Sequence, residues 1–187
     1  TELVLIGSVE VLASFPNLFI SEVSRDIVLA KLDEAKKGRS LGHAFDDDGK
    51  LGYFEHTQAT HLHATEQFNA IATAIDKYCQ VTPTYGPENP HEILLRLKDL
   101  VSDEEYSTLM LAAEKEGVLI TVDGHLRQWA ATVNVRSVWP QPILMNAAAK
   151  GVVSGAHYSL ATAKLFMANR AFTSLSANDI LMLCAQG

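Results

Sequence analysis

The stretch SDEEYSTLMLAAEKEGVLITVDGHLRQWA, residues 102–130, decides the fold class. Ser102 followed three residues later by Glu105 is typical of a capped helix start, and Gly117 is typical of a helix end. The run over residues 118–122 is continuously apolar or β-branched, which indicates a strand covered on both faces. A helix that leads directly into such a strand predicts an α/β fold with a parallel sheet.

The rest of the chain continues this alternation. Residues 18–20 are predicted as a strand, and Ser21 is placed to cap a helix from Glu22 to about Lys37. A looser alternation around Asp48 and Gly49 predicts a β-hairpin insertion over residues 41–57. Other segments are predicted as a strand over 136–139 and as helices over 3–14, from 60 or 65 to 78, 91–101, 142–150, 156–169 and from 176 onward. We expect one domain over residues 1–187.

Composition excludes several classes of protein. The chain has 187 residues, with 15 Lys and Arg against 22 Asp and Glu and a formal net charge of −7. Such a surface does not attract nucleic acid through its overall field, so a nucleic-acid partner needs a local basic patch or a metal. Cys79 and Cys184 are far apart, which excludes a zinc ribbon and a disulfide framework. We expect a cytoplasmic protein without a membrane-spanning segment.

Three carboxylates are expected at one edge of the sheet. A helix from Glu105 to Glu116 descends about 18 Å, and a strand over residues 118–122 climbs back about 17 Å, so Glu105 and Asp123 return to the same level. Asp26 belongs there too, because its helix leaves the carboxyl end of a strand. Ligands bind at this end of open α/β sheets. Clustered carboxylates repel one another unless a cation lies between them, and oxygen ligands favour Mg²⁺ or Mn²⁺. Such ions support phosphodiester hydrolysis.

Each acid also has a structural interpretation. Glu105 completes a capping box with Ser102 and could serve only the helix start. Asp26 taken alone is a solvated helix residue. Asp123 follows a buried strand and precedes a helix, so it is either an N-cap or a metal ligand.

GVLITVDGHLRQWA, SEVSRDIVLAKL after LFI, and DEEYSTLMLAAEKEG together resemble PIN domains. The resemblance runs over most of the chain and includes a hairpin insertion. It implies a three-layer fold with a central parallel sheet between helices. It also implies that active members use one or two divalent ions to cut RNA. Matched position by position, Asp26, Glu105 and Asp123 take the second, third and fourth acidic roles of the family.

The resemblance also implies a leading strand that ends in an acid, before a helix like ELVLIGSVEVLASF. Here the chain starts inside that helix. Either the strand lies upstream of Thr1 or residues 3–6 replace it, in which case Gly7 stands where the acid belongs. Either alternative leaves residues 1–187 without the leading carboxylate. Separately, we expect these residues to form part of a longer protein.

Other features carry weaker predictions. DDDGKLGYFE only partly fits a calcium loop, since Ala44 falls on its first ligand position. The histidine-rich stretch His56, His61, His63 and Glu66 favours surface residues over a metal site. Neither cysteine has a local base that would activate it, and Cys184 is expected to be buried. Arg127, like His125, is placed either to touch a phosphate or to lie solvated on its helix.

Two hypotheses follow. The first is a PIN-like, Mg²⁺- or Mn²⁺-dependent ribonuclease that acts on single-stranded RNA, with Asp26, Glu105 and Asp123 as metal ligands and Arg127 on a phosphate. The second is a catalytically inactive PIN-like module used for protein interaction or as a scaffold. Further domains of a longer chain, or a second copy in a homodimer, are the expected protein partners. The absence of a glycine-rich phosphate loop argues against a small-molecule binding domain.

Overall fold

A computed structural model describes residues 2–38, 41–45, 50–55, 57–170 and 173–185. The helices are α1 (Glu2–Leu5), α2 (Glu22–Lys37), α3 (Gln58–Tyr78), α4 (Glu92–Arg96), α5 (Asp103–Glu114), α6 (Gly124–Thr132), α7 (Pro140–Ala149), α8 (Gly155–Met167) and α9 (Ala177–Cys184), with 3₁₀ turns at Val9–Ser14 and Leu97–Asp99. The strands are β1 (Phe19–Ser21), β2 (Leu41–Phe45), β3 (Leu51–Glu55), β4 (Gln80–Thr82), β5 (Val118–Ile120) and β6 (Arg136–Val138).

The strands form three separate pairs. β1 pairs with β4 and β5 pairs with β6, both in parallel, while β2 and β3 form the antiparallel hairpin. The parallel pairing and the hairpin confirm those parts of the prediction. The turn residues Asp48 and Gly49, most of the partial calcium loop and His56 lie outside the described residues.

The expectation of a three-layer fold around one central sheet is wrong. In the described part of the chain, β1 and β5 each pair with only one neighbour, so the parallel strands remain two short ribbons. The alternative that residues 3–6 replace a strand is also wrong. These residues lie in and directly after α1, where the Ile6 N–H donates to the Glu2 carbonyl at 3.0 Å.

Helix signals fixed by neighbouring residues were predicted well. α2 has the predicted bounds, and its Ser21 hydroxyl accepts the Ser24 N–H at 3.1 Å. α5 has both halves of its capping box. The opening helix differs, because it divides at Gly7, whose φ of +80° lies in the left-handed region, into α1 and a 3₁₀ turn.

The core has three apolar clusters. One joins α1 to α7 and α8 around Leu144 and Leu165, and a second joins α4, α5, β5 and α6 around Leu97 and Leu109. A smaller third cluster lies between α2 and α3 around Ile71. None of the described helices combines the length and the hydrophobicity that a membrane span requires.

Asp179 anchors the last helix. Its side chain is buried, and its carboxylate accepts hydrogen bonds from the Ser159 hydroxyl at 2.8 Å, the Ser176 N–H at 2.9 Å and the Ser176 hydroxyl at 2.7 Å. Burial raises the pKa of Asp179, but these three hydrogen bonds outweigh it and the pKa lies below its usual value. The ionised carboxylate therefore holds α9 against α8.

We expect Asp179→Asn to destabilise the fold by about 1–3 kcal/mol at pH 7, because an amide cannot accept all three hydrogen bonds. The wild-type advantage is complete above the unfolded pKa, roughly pH 4, and is lost as the pH falls through the lower folded pKa. Urea unfolding of both proteins between pH 7 and pH 2 measures the gap in free energy of unfolding. A gap that stays constant over this range would contradict the assignment.

Candidate acidic site at the carboxyl ends of the strands

Helix α5 defines the candidate site because it packs against β1, β5 and α6. A short turn joins α5 to β5, and in it the Gly117 N–H donates to the Ala112 carbonyl at 2.9 Å. The strand therefore runs back along the helix that precedes it. The first turn of α5 and the carboxyl end of β5 consequently lie toward the same end of this unit.

Two hydroxyl pairs bring the carboxyl end of β1 to that same end of α5. The Ser21 and Ser107 hydroxyl oxygens are 2.9 Å apart, and both residues are buried. The Ser24 and Thr108 hydroxyl oxygens are 3.0 Å apart. Since Ser107 lies about one helical turn from the start of α5, β1 and β5 point their carboxyl ends toward one region.

Asp123 stands directly at this region and acts as the N-cap of α6. Its Oδ1 accepts the His125 N–H at 2.7 Å and the Leu126 N–H at 3.0 Å. Its own N–H donates to the Thr121 hydroxyl at 3.1 Å. Within the described residues, the hydrogen bonds involve Oδ1 only, which leaves Oδ2 available to a ligand. The capping interpretation of Asp123 is confirmed, and it does not consume the second oxygen.

Glu105 has the same double character. Its Oε2 accepts the Ser102 N–H at 2.8 Å and the Ser102 hydroxyl at 2.7 Å, which completes the capping box. In the described part of the chain, Oε1 makes no comparable bond. Both predicted acids thus cap helix starts through one oxygen, and neither cap uses the other oxygen.

Asp26 is the least constrained of the predicted acids. Its side chain is 69% exposed, and its nearest cation is the Arg25 guanidinium at 3.5 Å. Glu22 lies one turn earlier on α2, directly after the buried Ser21, and the sequence analysis did not single it out. The available signal was its position as the first helical residue after a capped strand end.

The donors suit a hard cation in kind, but the described residues do not close a metal site. Carboxylate oxygens are the ligands that Mg²⁺ and Mn²⁺ prefer. Within the described ranges, however, there is no group of three or more His, Cys, Asp or Glu residues placed to hold an ion. The three predicted acids therefore do not fit a complete metal centre in this arrangement.

The structure also describes His63 and both cysteines. His63 pairs with Gln67 at 3.0 Å on the surface of α3, in agreement with the surface interpretation. Burial raises the pKa of the Cys79 thiol, which lowers its reactivity. Cys184 is exposed, so the expectation that it is buried is wrong. Helix α9 contacts α8 through the face that carries the buried Asp179.

Arg127 lies one turn into α6 from Asp123, and its guanidinium carbon is 4.7 Å from the centroid of the Trp139 ring. A cation over an aromatic face is held in place by the ring quadrupole. Its role on a phosphate stays a prediction, and the contact with Trp139 orients the guanidinium.

Comparison with known proteins identifies the family. A family model described as a PIN domain associated with the TPR-GreAB-C-PIN system matches residues 1–132, which is more than half of the chain. The matched part ends with α6 and contains Asp26, Glu105, Asp123 and Arg127. No curated protein and no solved structure matches the chain.

Conservative and truncating variants should separate the capping role of Asp123 from any other role. Asp123→Ala should lower the free energy of unfolding by about 1 kcal/mol, because α6 loses its cap, whereas Asp123→Asn should be close to neutral since Asn is an equally good N-cap. Thermal unfolding of both variants measures this difference. Equal destabilisation by Ala and Asn would show that the negative charge, and not the cap, is what the fold uses.

Proposed function

Since this chain belongs to the family of PIN domains associated with the TPR-GreAB-C-PIN system, we propose that it is a ribonuclease domain that hydrolyses RNA phosphodiesters with Mg²⁺ or Mn²⁺. The proposal is supported by the packing of α5 against β1 and β5, which favours a position of Glu105 and Asp123 toward the same end of the unit. In each residue the helix cap uses only one carboxylate oxygen. Asp26 completes the proposed set from α2.

The chain's own residues supply charge and position. Glu105 and Asp123 present fixed anionic oxygens because their caps hold both side chains at helix starts. Arg127 is proposed to bind a phosphate of the RNA, since it is the cation one turn from Asp123 and is oriented by Trp139. Because the described residues do not close a metal centre, the proposal assigns no step to the ion.

The domain is proposed to work inside a larger assembly. The family's description joins it to TPR and GreAB-C parts, which indicates a multidomain system. We propose that residues 1–187 form one PIN-like unit of such a system in the cytoplasm, with single-stranded RNA as substrate. A homodimer stays a prediction.

Isosteric variants provide the test of cleavage. Asp123→Asn and Glu105→Gln keep their caps, because Asn caps helices and Gln serves in a capping box. Each should lower manganese-dependent cleavage of a labelled single-stranded RNA by about a hundredfold or more, from the loss of a charge that acts on the transition state. Asp76→Asn, which changes an exposed acid on α3, is the matched control and should cleave like the wild type. Unchanged cleavage in Asp123→Asn would overturn the assignment.

A second function is favoured by one specific observation. Glu105 and Asp123 both serve helix starts, and the described residues hold no group of three metal-binding side chains. This arrangement suits a catalytically inactive PIN module that links the parts of the assembly.

Titration of the chain with Mn²⁺ by calorimetry distinguishes the two functions. The ribonuclease proposal expects saturable heat at millimolar Mn²⁺ that Asp123→Asn removes, since the metal ligand is then lost. The scaffold proposal expects no saturable heat in either protein. A wild-type heat that survives in Asp123→Asn would place the ion elsewhere and contradict the proposed ligand set.

A further inference from the structure

A cleft lies between the start of α2, the segment after β4 and the middle of α5. One of its lining residues, Tyr106, directly follows Glu105 in the sequence. The volume of the cleft is about 270 Å³, and its walls include Glu22, Val23, Pro83, Thr84, Tyr106 and Met110. We call it the α2–α5 cleft. Ligand pockets for drug-sized molecules start at about 300 Å³, so a volume of this size suits one ring system.

The walls of the α2–α5 cleft have a distinct chemistry. Val23, Pro83 and Met110 are apolar, and Tyr106 adds an aromatic ring. Against them stand one carboxylate, from Glu22, and the aliphatic hydroxyls of Thr84 and Ser107, of which Ser107 is already paired with Ser21. Apolar walls with a few polar groups are typical of sites that bind flat heterocycles.

The Thr84 hydroxyl is the unexplained polar group of the cleft. Its oxygen is buried, and among the described residues it has no hydrogen-bond partner. Buried polar atoms are nearly always paired, and this oxygen is closed off from the cleft, so a ligand atom meets it only after the Thr84 side chain turns toward the cleft. A hydroxyl can donate or accept, whereas the carboxylate of Glu22 can only accept.

Hydrogen bonds connect two of the segments that form the cleft. Glu114 accepts the Tyr85 and Gly86 N–H groups at 3.0 Å each, which ties the segment after β4 to α5. Lys115 and these two N–H groups hold the pKa of Glu114 below its usual value against the opposing effect of burial. Gly86 has a φ of +86°, and a Cβ there would lie 2.2 Å from Met110 Cε. A Cβ at position 86 would therefore require the end of the Met110 side chain to shift.

We propose that the α2–α5 cleft binds a guanine base of single-stranded RNA, next to the carboxylates at which the strand is cut. Guanine presents adjacent N–H donors at N1 and N2, which match the two acceptor oxygens of Glu22, and its O6 can accept from the Thr84 hydroxyl once that side chain turns toward the cleft. Adenine and cytosine present one amino donor beside an acceptor, and uracil presents one N–H between two acceptors. A carboxylate therefore selects guanine over the other three bases.

The inference rests on the proposed ribonuclease function and names its substrate preference. The charge of the chain also favours recognition of RNA through its bases. With a formal net charge of −7, the protein gains little from phosphate contacts, so base stacking and base-edge hydrogen bonds must supply much of the affinity for RNA. An unpaired base of a single strand can be splayed into such a cleft.

Binding without cleavage tests the inference. Labelled oligouridylates that carry one central guanosine, inosine, adenosine or cytidine are titrated with the wild-type chain in a chelator, and fluorescence anisotropy reports the dissociation constant. The guanosine oligonucleotide should bind about tenfold more tightly than the adenosine, cytidine and all-uridine ones. Inosine lacks the 2-amino donor and should fall between. Equal affinities, or no binding, would overturn the proposal.

Variants identify the residues responsible. Glu22→Gln should abolish the difference between guanosine and inosine, while Glu92→Gln, which also changes the first residue of a helix, should keep it. Thr84→Val should weaken guanosine binding severalfold, whereas Thr162→Val, which removes another buried hydroxyl without a partner in the described residues, should not. A guanosine preference that persists in Glu22→Gln would overturn the assignment to this cleft.

Two further arms keep the hypotheses separate. Guanosine monophosphate should compete more weakly than the RNA; equal affinity would assign the cleft to a free nucleotide and overturn the RNA proposal. Cleavage of RNA without a guanosine preference would overturn the cleft proposal alone. A guanosine preference in binding without any cleavage would support the cleft and remove the ribonuclease function.

Discussion

The hydroxyl contacts between β1–α2 and α5 are the constraint on which the arrangement depends. The Ser21–Ser107 and Ser24–Thr108 pairs replace water at positions where a helix face would ordinarily be apolar. A buried hydroxyl without a partner costs roughly 1–3 kcal/mol, so each pair strongly disfavours a sliding of α5 along β1. Apolar contacts alone would tolerate such a shift, because the hydrophobic effect has no direction. The register of these four side chains therefore places the acids and the α2–α5 cleft relative to one another.

Helix capping and the proposed function draw on the same carboxylates in this molecule. The N-terminus of a helix carries a partial positive charge that favours an anion, which stabilises Glu105 and Asp123 where they are. The same preference holds one oxygen of each acid to the backbone. A carboxylate has two oxygens, so the conflict is resolved when the cap uses one and a ligand uses the other. For that reason the structural interpretation of each acid is confirmed without deciding against a functional one.

Local signals in the sequence predicted local structure, and their reach explains what was missed. The bounds of α2, the Ser21 cap and the capping box of Ser102 and Glu105 depend on residues within four positions of each other. The division of the parallel strands into two ribbons depends on which distant segments pair, and no short pattern records it. The start of the chain was ambiguous for another reason: a short apolar run is compatible with either a helix or a strand.

The cleft lay beyond sequence reasoning because its walls come from three separate segments. A signal for part of it was present nonetheless. Ser107 and Thr108 are hydroxyl residues within a helix whose neighbours Leu109, Met110 and Leu111 are buried, and small polar residues at such positions need partners from another element. Following that requirement leads from α5 to Ser21 and Ser24, and hence to Glu22 beside them. In an acidic chain, a carboxylate at that position is costly for binding phosphate and useful for reading N–H donors, so the chemistry of Glu22 favours contact with a base over contact with the RNA backbone.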